Sequence, residues 1–250
     1  MQKELAQKLQ KILKLDTSPV AIKLYRNRDD LPLKPLQRKL NICQLVYMAR
    51  AMGKANSGTP DKMVCSFGAA CAGLIKTPDV FKTGEAAVGI YCKDNEAGKN
   101  FFANTFKLGD KGKEYDAMYV EPLEKGTVEP DVVVVHGNSG QIVRLIHANA
   151  YDSGEKVSAD SVAEGALCSS IGYVLEHNKP RVDFPCAGER VFGGAQNHEI
   201  VFVTPYNRLE KLVENLEHTA RGGFSVYPAP IYMDWSPTMP STYTIKEEDL

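Results

Sequence analysis

Residues 129–150 read EPDVVVVHGNSGQIVRLIHANA. Asp131 to Val135 is a β-branched run, the pattern of a strand buried on both faces, and Gly137-Asn138-Ser139-Gly140 is a turn that opens a helix over Gln141 to Ala150. The same order occurs near the start of the chain. Val20 to Tyr25 (VAIKLY) predicts a strand, and after a Pro-containing loop Cys43 to Met52 (CQLVYMARAM) sets Leu45, Met48, Ala49 and Met52 on one side of a helix. Recurrent strand-then-helix units predict the α/β class.

Three correspondences link the two regions in one order. CQLVYMARAMG aligns with GQIVRLIHANA through Gln44 and Gln141, VCSFGAACAGL with LCSSIGYVLEH through Cys65 and Cys168, and EYDAMYVEPLEK with EIVFVTPYNRLEK through Pro122 and Pro205. The changing offsets fit loops grown on a shared scaffold, with about 20 extra residues between cysteine and proline in the first half. The expectation is two related α/β halves, about residues 17–126 and 130–220, packed about a pseudo-twofold axis into one domain over residues 1–220. Before them, MQKELAQKLQKILKL places Leu5, Leu9, Ile12 and Leu13 on one helical face, an N-terminal docking helix without the apolar core of a signal peptide. After them, residues 221–250 form a Pro- and aromatic-rich irregular arm, whose Phe224, Tyr227, Tyr232 and Trp235 need a surface to bury against, their own domain or a second copy in a homodimer.

The 250 residues are 43% hydrophobic and 24% charged, values of an ordinary globular chain. Thirty basic side chains balance 31 acidic ones, which gives no global reason to expect nucleic acid as a partner. The apolar runs fall far short of the roughly 20 residues needed to span a bilayer, so no membrane partner is expected and a cytoplasmic location is. Six cysteines, Cys43, Cys65, Cys71, Cys92, Cys168 and Cys186, are too sparse for a disulfide scaffold and read as thiols or metal ligands in a reducing compartment.

The chain has no CxxC, HExxH, phosphate loop, nucleophile elbow or dinucleotide fingerprint. What it has is cysteines at recurring places. Cys65 and Cys168 stand at helix starts, each followed by a strand-like run ending in cysteine, VGIYC at Cys92 and VDFPC at Cys186, and Cys43 opens another helix. Helix N-termini lower a thiol's pKa, which suits thiolate ligation or nucleophilic chemistry. Thiolates converging at the junction of the halves favour an iron–sulfur cluster or another thiophilic metal, since histidines and carboxylates are not comparably clustered. Cys71, on the Ala-rich face of GAACAG, reads as packing. His136, at a strand end, is the best general acid/base among the five histidines, and Arg190 in PCAGER suits a bidentate anion contact.

NICQLVYMARAMGK, CSFGAACAGL, EPDVVVVHGNSGQIVRLIHA, GALCSSIGYV and FPCAGERVFGG together resemble the domain-of-unknown-function 169 family of archaea and anaerobic bacteria, from about Pro19 to about Leu216. The resemblance brings no reaction, because that family is largely uncharacterised. The positions that match its cysteine motifs are Cys43, Cys65, Cys168 and Cys186. Around the second the family tends to Cys-Pro-Gly-Gly where this chain has Cys65-Ser66-Phe67-Gly68.

The leading expectation is therefore a protein that binds an iron–sulfur cluster, such as 4Fe–4S, on Cys43, Cys65, Cys168 and Cys186, with Cys92 as a substitute ligand. It would serve electron transfer or redox chemistry with a redox partner protein or a small-molecule substrate. A second expectation is a metal-free binding module for a small molecule or cofactor, contacted by Asn138, Gln141 and Arg190. A third is a thiol enzyme with Cys65 or Cys168 as nucleophile.

Overall fold

The computed structural model describes residues 1–219, 225–229, 235–236 and 239–249. In chain order the regular elements are α1 (Gln2–Leu13), β1 (Val20–Tyr25), α2 (Ile42–Arg50), β2 (Asn56–Gly58), α3 (Ser66–Cys71), α4 (Asp79–Lys82), α5 (Asn95–Ala103), β3 (Ala117–Pro122), β4 (Val132–Gly137), α6 (Ser139–Ala150), α7 (Ala166–His177), β5 (Arg181–Asp183), α8 (Ala187–Gly193), β6 (Ile200–Pro205) and α9 (Leu209–Thr219). Among the described residues six strands form one sheet in the order β2-β3-β1-β4-β6-β5, every neighbouring pair antiparallel. At its centre β1 and β4 meet with Val20 opposite Val134 and Ile22 opposite Val132. Outward from that centre, the first three strands run β1, β3, β2 and the last three run β4, β6, β5.

The run DVVVV builds a strand covered on both sides, and the alternation of side chains along it sets up two cores. Val132 and Val134 join Ile22, Val120 and Val203 under α2, α3 and α7. Val133 and Val135 join Ala21 and Phe202 under α1, α6 and α9. The result is three layers, with helices on both faces of the sheet. The N-terminal helix docks as its pattern predicts, burying Leu5, Leu9 and Leu13. Between α3 and β3 the first half carries an added layer, in which Phe67, Phe81 and Phe102 pack ring to ring with centroids 4.8 to 5.1 Å apart.

The structure differs from the sequence reading at two places. The helices α2 and α6, equated through Gln44 and Gln141, lie on opposite faces of the sheet. What they share is a capping device: Gln44 Oε1 accepts the Asn41 N–H at 2.9 Å and Gln141 Oε1 accepts the Asn138 N–H at 2.7 Å. VGIYC is no strand. Val88 and Cys92 close on one another around Gly89, whose φ of +74° is the left-handed turn conformation that glycine adopts without strain.

The start of the C-terminal arm lies against its own domain. Arg144 donates from Nη1 to Ser225 O at 2.6 Å and from Nη2 to Leu216 O at 2.8 Å, and Asn138 Nδ2 donates to Tyr227 Oη at 2.7 Å. Trp235 is exposed, and Phe224 and Tyr232 lie outside the described residues. Among the described residues no helix is long and apolar enough to cross a membrane.

Candidate functional site: a cavity of four cysteines

The four cysteines matched to the family motifs line one cavity of about 720 Å3. They come from four helix starts on the same side of the sheet. Cys65 precedes α3 as its cap, and its Sγ accepts the Gly68 N–H at 3.3 Å. Cys186 caps α8 in the same way, its Sγ accepting the Glu189 N–H at 3.4 Å. Cys43 is the second residue of α2, with its Sγ 3.8 Å from Gly188 O, and Cys168 lies in the first turn of α7. The helices that carry them pack crosswise, α2 against α8 and α3 against α7.

Glycines let the four turns approach. A Cβ built on Gly68 would stand 3.0 Å from Cys168 Sγ and 3.5 Å from Cys65 Sγ, so the bare backbone leaves a gap between two sulfurs. A Cβ on Gly193 would stand 2.9 Å from Cys43 Cβ. The sequence departs from Cys-Pro-Gly-Gly at Ser66 and Phe67 and keeps the glycine that borders this gap.

Burial, followed by the charges of Glu189, Cys186 and Cys65, pushes the Cys43 thiol up to about 12. Burial likewise holds Cys168 well above the ordinary thiol value, with Cys71, Cys65, Cys43 and Cys186 adding to it. The Cys186 thiol is raised by burial, and the backbone N–H groups of Glu189 and Gly165 act in the opposite sense. Beside burial, neighbouring thiolates disfavour the ionisation of Cys43 and Cys168, and positive charge placed among them would favour it. Cys65 is the exposed member. Among the described residues no three or more His, Cys, Asp or Glu side chains stand close enough to hold a single metal ion.

The remaining wall combines apolar side chains with a few polar groups. Phe67 and Leu167 are buried in it, while Val64, Tyr91, Val191 and Phe192 are exposed around the mouth. Glu189, 2% exposed, pairs through Oε1 with His136 Nε2 at 2.7 Å, and its Oε2 has no partner. Glu164 bonds the Tyr91 hydroxyl, and burial raises its pKa. Behind the cavity, Arg50 and Glu199 form a buried two-point ion pair at 2.6 and 3.1 Å, and Arg50 Nη2 also donates to Gly194 O at 3.0 Å. This clamp ties the end of α2 to the loop that follows α8.

The other residues singled out from sequence sit elsewhere. Gln141 Nε2 donates to Leu13 O at 2.9 Å and Lys14 O at 3.0 Å, which latches α1, and Asn138 caps α6 and holds Tyr227. Arg190 spends its guanidinium on Pro185 O and Gln196 O, both at 3.0 Å. None of these three lines the cavity. Cys92 packs with Phe67, Cys71 and Phe102 in the aromatic layer, and fully buried Cys71 is packing as expected. Sequence reasoning passed over Glu189, Asn41 and Gly68. The signal for Glu189 was its place three residues after Cys186, the inward position of a capping turn, where the adjacent Arg190 faces away.

The chain belongs to the DUF169 family, described as uncharacterised ArCR, whose model it matches over residues 8–215. Within reach of sequence comparison is an uncharacterized protein of Methanocaldococcus jannaschii, MJ0308, 29% identical over 221 residues that cover 86% of this chain and 94% of that protein. No solved structure matches.

Proposed function

We propose that this protein holds an iron–sulfur cluster of the 4Fe–4S type on Cys43, Cys65, Cys168 and Cys186 and serves electron transfer or redox chemistry. The observation that carries the reading is the convergence of these four thiols, remote in sequence, on one cavity. A four-iron cluster takes one thiolate on each iron, which four converging cysteines would supply. The donor set fits it in chemistry as well: all four are thiols, and the Gly68 and Glu189 N–H groups already point at two of them. When bound, such a cluster supplies reversible one-electron transfer. The protein's part is to hold the four sulfurs, to donate N–H bonds that tune them, and to keep water off with the apolar collar. The free cysteines suit a reducing, cytoplasmic setting, with a redox partner protein or small-molecule substrate as the exchange partner.

The two halves are also proposed to be a duplication, in a register different from that of the Cys65 and Cys168 alignment. Reading outward from β1 and β4, the strand orders equate β2 with β5 and β3 with β6. Cys43 lies 13 residues before β2 (56 − 43) and Cys168 lies 13 before β5 (181 − 168). That pairs Cys43 with Cys168, and Cys65, the cap of α3, with Cys186, the cap of α8. The crosswise packing of α2 on α8 and α3 on α7 is what a twofold relation between such pairs requires. The Pro122 and Pro205 match survives in this register, since both prolines end equivalent strands.

Anaerobic purification followed by iron, acid-labile sulfide and absorption measurements tests the cluster. Stoichiometric iron and sulfide, with a broad band near roughly 400 nm lost in Cys43→Ala, Cys65→Ala, Cys168→Ala and Cys186→Ala, is the expected result. A colourless protein without iron after anaerobic reconstitution refutes it. The cavity itself favours the metal-free binding module as the second reading, since its size lies within the range of about 300–1,000 Å3 typical of small-molecule pockets. For the thiol enzyme, the burial that raises Cys43, Cys168 and Cys186 argues against nucleophiles at those positions.

A further inference from the structure

The mouth of the cavity is an exposed apolar collar with positive charge beside it. Val64, Tyr91, Val191 and Phe192 all line the cavity and are 62%, 46%, 74% and 53% exposed, a cluster of large apolar side chains of the kind that marks a contact surface. Arg38 lines the same mouth, and the loop that carries it runs alongside Val64: Leu40 N–H donates to Lys62 O at 3.0 Å and Leu40 O accepts the Val64 N–H at 3.2 Å. Arg38, Lys39 and Lys62 therefore stand next to the collar, and none of the three has an ion-pair partner among the described residues. Asp61, adjacent to Lys62, is engaged by Arg28 at 3.4 Å, and Glu164 bonds the Tyr91 hydroxyl.

The complementary surface is on the C-terminal arm. Tyr243 and Ile245 are 71% and 73% exposed, and the acidic run Glu247-Glu248-Asp249 follows them, with Lys246 the one cation in between. None of residues 239–249 lines the cavity of its own chain. The arm sets out from the opposite face of the sheet: Ser225 and Tyr227 are held by Arg144 and Asn138 of α6 and its cap, whereas the cavity belongs to the side of α2, α3 and α7. We infer that residues 243–249 of a second copy of this chain dock on the collar, with Tyr243 and Ile245 against Val64, Val191 and Phe192 and the acidic run against Arg38, Lys39 and Lys62. Each chain then gives one tail and receives one, the reciprocal contact of a twofold dimer. Exposed ion pairs contribute little apiece, so the apolar side chains hold the tail while the charges set its direction and exclude the reverse one. The partner's tail narrows the mouth of the cavity. The contact uses the rim and not the sulfurs, so it stands whatever the cavity holds.

The test is sedimentation of the full chain over a range of concentrations, with two charge reversals: Arg38→Glu, Lys39→Glu and Lys62→Glu together, and Glu247→Lys, Glu248→Lys and Asp249→Lys together. The natural chain forms a concentration-dependent dimer that high salt weakens. Either reversal alone sets like charge against like and raises the dissociation constant by about tenfold or more. Mixing the two reversed chains restores a dimer, because each tail then meets a collar of opposite charge in the other chain. A photo-crosslinker in place of Ile245 joins the tail to Val64, Val191 or Phe192 of the other copy, distinguished by isotope labelling. Melting curves establish that each variant is folded. A chain that stays monomeric at every concentration overturns the inference, as does a dimer that both reversals leave intact, or a mixture that does not recover. A crosslink to the collar of the same chain assigns the tail to its own cavity and overturns the second copy. Iron content, measured on the same samples, judges the cluster separately.

Discussion

Gly68→Ala separates the metal reading from ordinary packing, because its effects on fold and on cofactor diverge. Gly68 lies inside the first turn of α3, where alanine gains about 1 kcal/mol of helix propensity over glycine. Against that, the new methyl group would stand 3.0 Å from Cys168 Sγ, closer than ordinary contact, so the sulfur or the helix must give by a few tenths of an ångström. Overpacking of this kind costs about 1–3 kcal/mol. The difference leaves a loss of about 0–2 kcal/mol in urea unfolding. The methyl group nonetheless occupies the gap between Cys65 and Cys168, where the irons would sit, and iron per chain after reconstitution falls by more than half. A folded Gly68→Ala protein with full iron and sulfide would refute the placement of the cluster.

Three further outcomes follow from the same geometry. Glu199→Gln strands the buried Arg50 guanidinium and lowers stability by about 3–5 kcal/mol, visible as a drop in the urea midpoint, whereas the paired change Arg50→Met with Glu199→Leu recovers most of it. Because Cys43 is pushed up to about 12, it enters any metal site by losing a proton; reconstitution of the iron-free protein therefore releases protons and becomes more favourable as pH rises from 6 to 9 (roughly the working range of such assays), which calorimetry in buffers of different ionisation enthalpy measures. Gln141→Leu removes two bonds to the end of α1 and lowers stability by about 1–3 kcal/mol with iron content unchanged, since Gln141 does not line the cavity.

The strands β1 and β4 were legible because their burial is written in side-chain type. VAIKLY coincides with β1, and the valines of β4 admit little but a covered strand. The cysteines were legible as a set because they follow helix-start positions, and a helix start is a local property that sequence records. The pairing of elements across the sheet is not local. The register drawn through Gln44 and Gln141 matched two Asn-x-x-Gln caps, and the same cap forms wherever a helix needs its first N–H groups satisfied, whichever face it covers. Asn138 and Gln141 looked like ligand contacts for a similar reason: polar side chains at a strand end can serve either a ligand or the backbone, and here Leu13 O, Lys14 O and Tyr227 take up their donors. In VGIYC the β-branched letters outweighed Gly89, although a single left-handed glycine turns the chain back on itself.

The proposed pairing of Cys43 with Cys168 and Cys65 with Cys186 makes the cavity symmetric in its ligands, but the surroundings break that symmetry. Cys65 is exposed while the other three sulfurs are half-buried or better, and the aromatic layer built from α4 and α5 thickens the wall on one side only. A cluster held by two equivalent pairs would therefore have one corner facing water, at Cys65, ringed by Val64 and Tyr91 from one half and Val191 and Phe192 from the other. That corner is where electrons would enter or leave, because it is the shortest path to the surface. It is also where oxygen would attack first, so air exposure should strip iron from the Cys65 corner before the buried pair of Cys43 and Cys168 lets go. Loss of the cluster in a single step, with no intermediate of lower iron content, would mean that the four ligands do not differ in exposure once the metal is bound.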